Sequence, residues 1–156
     1  MSAAAALPPF WSLVEAHGDE LLVHARRMTD DDAAEDVLQD ALLRALRAYP
    51  RLRHGEHLRA WLYRVTTTTA LDLHRKRRHE VPTEEPPAPA VEAEYDDGAF
   101  ESMIAPLAPT ARDALRLRFV EDLDYDRMAA VLGTSPEAAR QRVSTAVRTL
   151  RERVTA

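Results

Sequence analysis

The side chains of this 156-residue chain best placed to do chemistry follow a tight turn near its C-terminal end. Arg140, Gln141, Arg142, Ser144, Thr145 and Arg148 come just after Gly133-Thr-Ser-Pro136. Their chemistry is recognition, because guanidinium and amide groups hydrogen-bond base edges and phosphates. Tyr125-Asp-Arg-Met-Ala-Ala-Val-Leu132, before the turn, has the pattern of a short helix. Gly133 can take the positive φ that ends that helix, Ser135 can cap the next one, and Pro136 suits a first helical position. Ala129, Leu132, Ala139, Val143, Ala146 and Leu150 form an apolar stripe at helical spacing, which turns the arginines outward. This is the layout of a helix-turn-helix, whose second helix enters the major groove. A plain helical hairpin with a basic face shares the pattern.

Other chemistry is poorly supplied. The four glycines are scattered, so no phosphate-cradling loop forms, and no serine has a nucleophile context. His54 and His57 lack a third metal ligand of the right kind nearby. No catalytic residue, metal site or cofactor is expected. With no cysteine, the chain has neither disulfides nor thiolate metal sites, as suits a reducing compartment. No apolar run approaches the roughly 20 residues of a membrane span, and the N-terminus shows no basic leader, so a cytoplasmic protein is expected.

The net charge of −5 argues against a nucleic-acid partner only until its distribution is read. Residues 80–101 hold eight acids and no base, leaving 21 bases against 18 acids elsewhere. Residues 15–40 carry nine acids and two arginines, whereas residues 41–78 carry nine arginines and Lys76 against Glu56 and Asp72. An acidic surface, a basic surface and an acidic tether in that order fit a protein that touches both another protein and DNA.

The elements that must position these groups are helical throughout, with no alternating strand pattern. A first helix over about 8–28 starts at Pro8-Pro9. Thr29 to Asp32 resembles a capping box with Thr29 as the cap, opening a second helix that buries Val37, Leu38, Ala41, Leu42, Ala45 and Tyr49 and stops at Pro50. A polar loop, 51–57, leads to a third helix marked by Leu58, Trp61, Leu62, Val65, Thr69 and Leu73, ending in Arg75-Lys-Arg-Arg78. Thr66 to Thr69 are poor helix formers, though each hydroxyl can bond the preceding turn. The prolines and acids of 80–101 predict a flexible linker. The fold expected is all-α: two small helical domains, 1–79 and 102–156, joined by that linker.

Together these segments resemble a bacterial RNA polymerase sigma factor of the extracytoplasmic-function type. Ala34-Glu-Asp-Val-Leu-Gln-Asp-Ala-Leu-Leu-Arg-Ala-Leu46 looks like the family's region 2.2, and Leu58-Arg-Ala-Trp-Leu-Tyr-Arg-Val65 like its region 2.3. Ala70-Leu-Asp72 with the basic run looks like region 2.4, and Leu107 to Arg153 like region 4. The resemblance implies a transcription initiation factor that binds core RNA polymerase and recognises and melts promoter DNA. An anti-sigma factor is the implied further partner. It implies polymerase docking through Glu35, Asp36, Gln39, Asp40 and Arg44, outward-facing on the second helix. It implies minus-ten contacts and capture of a flipped base by Arg53, His54, Glu56, His57, Trp61 and Thr68, with Arg75, Lys76, Arg77 and Arg78 along phosphates. Trp61 at helical spacing also fits a core position, and family members often carry Asn where Thr68 stands. Leu46, often aromatic in the family, reads as a core substitution. Ser135, Arg140, Gln141, Arg142, Ser144, Thr145 and Arg148 are the implied minus-thirty-five contacts. Two rival readings are a sigma-like decoy that binds an anti-sigma partner or polymerase without opening promoters, and a repressor using only the helix-turn-helix. Opposite charge faces on the first domain weigh against the repressor.

Overall fold

The computed structural model describes residues 7–52, 55–79 and 97–155, with the side chains of 77–79 and 154–155 left out. Among these residues are seven α-helices, one short 3-10 turn and no strand. Helix α1 (Phe10–Met28) starts behind Pro9, and α2 (Asp31–Ala48) follows after two residues. The cap between them is shifted by one from the capping box expected at Thr29. Asp30 accepts the Ala33 N–H at 3.0 Å, while Thr29 is buried and closes α1 through its own N–H to the Ala25 carbonyl. The carboxylates of Asp30, Asp31 and Asp32 thus gather at the positive end of the α2 dipole. Pro50 ends the run as the 3-10 turn Tyr49–Arg51.

Helix α3 (Leu58–His79) lies against both α1 and α2. Leu13, Leu21, Ala41, Ala45, Tyr49, Leu58, Trp61, Leu62 and Val65 form one core between them. The threonine run is helical because its hydroxyls find carbonyls one turn back: Thr66 donates to Leu62, Thr67 to Tyr63, Thr68 to Arg64 and Val65, and Thr69 to Val65, at 2.7–3.0 Å. That satisfaction lets four polar residues be buried side by side.

The second group comprises α4 (Asp97–Ile104), α5 (Pro109–Phe119), α6 (Tyr125–Leu132) and α7 (Pro136–Thr155). The expected linker, 80–101, overlaps α4 at its last five residues; residues 80–96 lie outside the described residues. Acids at 97 and 101 disguised a helix whose Phe100 and Ile104 are fully buried, and those acids are paired, Asp97 with Arg64 at 3.0 Å and Glu101 with Arg116 at 2.9 Å. The turn before α7 forms by the expected chemistry. Gly133 adopts φ 66°, ψ 38°, and the Ser135 hydroxyl accepts the Ala138 N–H at 3.1 Å.

The two groups share a core. Ala25, Met28, Val37, Ala70 and Leu71 pack in one cluster with Phe100, Ile104, Leu115, Phe119, Val143 and Val147. The Phe119 ring stacks on Tyr63 at 5.5 Å and meets His24 at 5.4 Å. Around this apolar centre Arg64 donates to the Phe119 carbonyl and to Asp97, while Arg59 pairs with Glu20 and, at 3.4 Å, with Asp122.

Candidate partner and nucleic-acid surfaces

On α2, Glu35, Asp36 and Gln39 are exposed on the side away from the alanine-lined core. Asp40 is half-buried and pairs with Arg44 at 3.3 Å. Arg44 departs from the expected outward set. Its guanidinium also reaches Asp72 on α3 at 2.8 Å and its side chain is only 16% exposed, so it ties two helices together. An unpaired guanidinium at that depth would be costly, and Asp72, 28 residues away, removes the cost.

Beside Gln39 lies an apolar groove of about 500 Å³, lined by Phe10, Trp11, Val14, Leu42, Leu43 and Leu46. Trp11 is 76% exposed, and Leu43 and Leu46 are about half exposed. Leu46 is therefore a surface residue and not the core substitution expected. The signal was present in α2. Ala34, Val37, Ala41, Ala45 and Ala48 suffice for its buried stripe, leaving Leu43 and Leu46 off it.

The expected minus-ten set is scattered. Arg53 and His54 lie outside the described residues. Glu56 and His57 are exposed, and His57 (φ 57°) faces Asp122 (φ 57°) of the second group at 3.9 Å. Both are non-glycine residues in the left-handed region. Trp61 is 3% exposed and packs near Tyr49, so it is core and not a stacking platform. Thr68, 2% exposed, gives its hydroxyl to carbonyls of its own helix and offers no edge to a base. Arg75 and Lys76 are exposed near the end of α3; Arg77 and Arg78 share that last stretch.

The outward arc predicted for α7 is divided. Ser135 caps the helix. The Arg140 guanidinium lies over the Tyr125 ring at 5.0 Å, with Arg118 on the same ring at 4.6 Å. Gln141, Arg142 and Thr145 line a shallow groove with Thr110 and Thr149. Ser144 and Arg148 instead face a cleft of about 390 Å³ between the two groups, opposite His24, Arg27 and Tyr63. Only a tertiary contact separates them from Arg140 and Gln141.

The residues missed from sequence are those joining the groups: Arg59, Tyr63, Arg64 and His24. Arg64 is buried at 8%. His24 is buried beside Thr67, whose hydroxyl proton goes to the Tyr63 carbonyl, so the imidazole Nε2–H donates at 2.8 Å. Burial, with Arg27 and Arg118 nearby, lowers the His24 pKa to about 3, and the ring is neutral. Burial also raises the Tyr63 hydroxyl, helped by Glu20. Among the described residues no three His, Asp or Glu cluster as metal ligands, and no helix is long and apolar enough to cross a membrane.

Comparison with known proteins places two family matches along the chain, sigma-70 region 2 over residues 13–80 and sigma-70 region 4 over 97–150. The RNA polymerase sigma-E factor of Streptomyces coelicolor is 33% identical over 94% of this chain and 86% of its own length. The ECF RNA polymerase sigma factor SigE of Mycolicibacterium smegmatis is 29% identical over 95% of this chain, which spans 62% of that longer relative. Among solved structures, the sigma factor RpoE in complex with the anti-sigma factor NepR from Bartonella quintana matches at 25% identity and TM-score 0.48, covering 93% of this chain and 95% of that one.

Proposed function

Since this chain belongs to the sigma-70 family, as a transcription initiation factor of the extracytoplasmic-function type that directs core RNA polymerase to promoters, we propose how its surfaces divide that work. Regions 2 and 4 matched in order, over 13–80 and 97–150, are the observation that carries this reading. The outer face of α2, with Glu35, Asp36, Gln39 and the rim of Asp40, docks on the polymerase. The groove of Trp11, Leu43 and Leu46 beside it supplies the apolar centre that a stable interface needs inside a polar rim. Loop 51–57 and the basic end of α3 work at the minus-ten element, and α7 at the minus-thirty-five element. Functionally, residues 1–79 form one unit and α4 to α7 the other, with the acidic stretch between them as a tether.

The chemistry is binding: charge neutralisation by Arg75 to Arg78, base readout by Arg140 and Gln141, and capture of an unpaired base near Glu56 and His57. Catalysis belongs to the polymerase. The protein acts in the cytoplasm, and its partners are core RNA polymerase, promoter DNA and an anti-sigma factor. Because His57 engages Asp122, and Arg148 faces α1, the two groups must part before both DNA surfaces are free.

Run-off transcription with purified core polymerase tests the assignment. Promoter-dependent transcripts are expected, and Asp36→Arg should weaken core binding by about 2–5 kcal/mol if that contact is desolvated, with helix content unchanged. Core binding with no opening of any promoter, even one already mismatched over the minus-ten element, would instead support the decoy.

A further inference from the structure

The cleft between the two groups has a composition that promoter recognition explains only in part, through Ser144 and Arg148. Its walls are Tyr63, Phe119, Val143 and Val147, and around them stand Arg27 from α1, Arg118 from α5, and Arg148 and Arg151 from α7. No carboxylate lines it. Glu20, which acts on Tyr63, is engaged by Arg59. Guanidinium groups from three helices and both halves of the molecule therefore line one cleft, with like charges facing it from opposite walls. A bound anion reverses the sign of that interaction.

We propose that this cleft binds a small free oligophosphate, a ligand of the di- or triphosphate class, through Arg27, Arg118 and Arg148. Phosphate suits the donors, because guanidinium forks match its oxygens two at a time. Arg118 is held ready: its Nη1 donates to the Leu123 carbonyl at 3.0 Å and its plane lies over Tyr125. A volume of about 390 Å³ is in the range of small-molecule sites and excludes a DNA duplex. The aromatic faces are largely occupied, Tyr63 by Phe119 and Arg59, and Tyr125 by Arg118 and Arg140, so phosphates and not a stacked base are what the cleft recognises. The His24 imidazole, whose pKa is lowered first by burial and then by the charges of Arg27 and Arg118, lies at the edge of the same cleft. Since the anion bridges α1 and α7, it holds the groups together. If Arg148 also reads DNA, as proposed above, ligand and promoter compete for it; the binding claim itself does not depend on that reading.

The test is titration of the full chain with inorganic tripolyphosphate and pyrophosphate at physiological ionic strength, without DNA or polymerase. Saturable one-to-one binding is expected, weakened on the order of tenfold or more in Arg27→Gln and in Arg148→Gln. Arg127→Gln, exposed on α6 outside the cleft, should leave it unchanged. Tripolyphosphate should raise the thermal midpoint of the native chain but not of Arg27→Gln, and should shift the His24 ring resonances. Because Arg27 is exposed on α1, that variant keeps the test valid if Arg148→Gln fails to fold. Binding seen only at low salt, an equal loss in Arg127→Gln, or binding of a single-stranded oligonucleotide but not tripolyphosphate would each overturn the proposal. Failure here would leave run-off transcription untouched, so the two readings fail separately.

Discussion

Helices α3 and α7 both place polar residues where DNA contacts were expected, and the fold treats them in opposite ways. In α3, Thr66 to Thr69 are buried, Thr67 against His24 of α1, and their hydroxyls are bonded to their own helix. In α7 the buried positions are apolar, Ala139, Val143, Ala146, Val147 and Leu150, and Arg140, Gln141 and Arg148 remain exposed. The difference lies in what each side chain can do without water. A threonine carries its hydrogen-bond solution with it, because the carbonyl one turn back is always within reach. A guanidinium has five donors and a charge, and is buried only where several partners wait. Arg64 shows the condition being met: Asp97 and the Phe119 carbonyl together let it lie inside.

The comparison is broken most severely through Phe119, which covers the α3 side of the contact. Phe119→Ala should cost about 3–5 kcal/mol, lower the urea midpoint and uncouple the two groups into separate transitions. A single unchanged transition would mean that the shared core contributes little.

Next in size is the difference between reading and anchoring. Arg140→Ala should cost about 1–3 kcal/mol and relax preference at one base position. Arg75→Ala should weaken all sequences alike and flatten the salt dependence by about one unit. Binding measured on a panel of single-base promoter variants separates them, and identical sequence-independent losses would remove the distinction.

A pH series addresses the imidazole between the two groups. Unfolded, His24 takes a proton near pH 6.5; folded, only near 3, so folding is favoured most above 6.5. As pH falls from about 6.5 toward 3 the unfolded chain binds a proton that the folded one refuses, so stability should fall by up to about 1.4 kcal/mol per pH unit. Comparing the urea midpoint at pH 7 and 5.5 for the native chain and His24→Gln checks this. The smallest effect is expected from Thr68→Val. Losing a hydroxyl that bonds only its own helix should change stability by about 1 kcal/mol or less and leave promoter opening intact. A large loss of opening would show that Thr68 leaves its buried place to meet a base.

Much of this was legible in the residue order because it depends on neighbours a few positions apart. Gly133, Ser135 and Pro136 specify a turn whose cap and left-handed glycine form as expected. The α2 register places Glu35, Asp36 and Gln39 outward by helical period alone. Less was visible where one helix decides the fate of another. Nothing local says that Arg44 will meet Asp72, that Leu46 will stay outside a core already filled by alanines, or that the acids at 97 and 101 will pair with arginines and leave Phe100 to anchor a helix. Whether Thr68 is read or buried, and whether Arg148 faces solvent or the cleft opposite Arg27, likewise depends on how distant helices meet. Helical period, capping and charge sign are properties of short stretches, so the sequence by itself determined them. Burial is a property of faces brought together from distant stretches, and the tertiary structure alone decided which polar groups it would enclose.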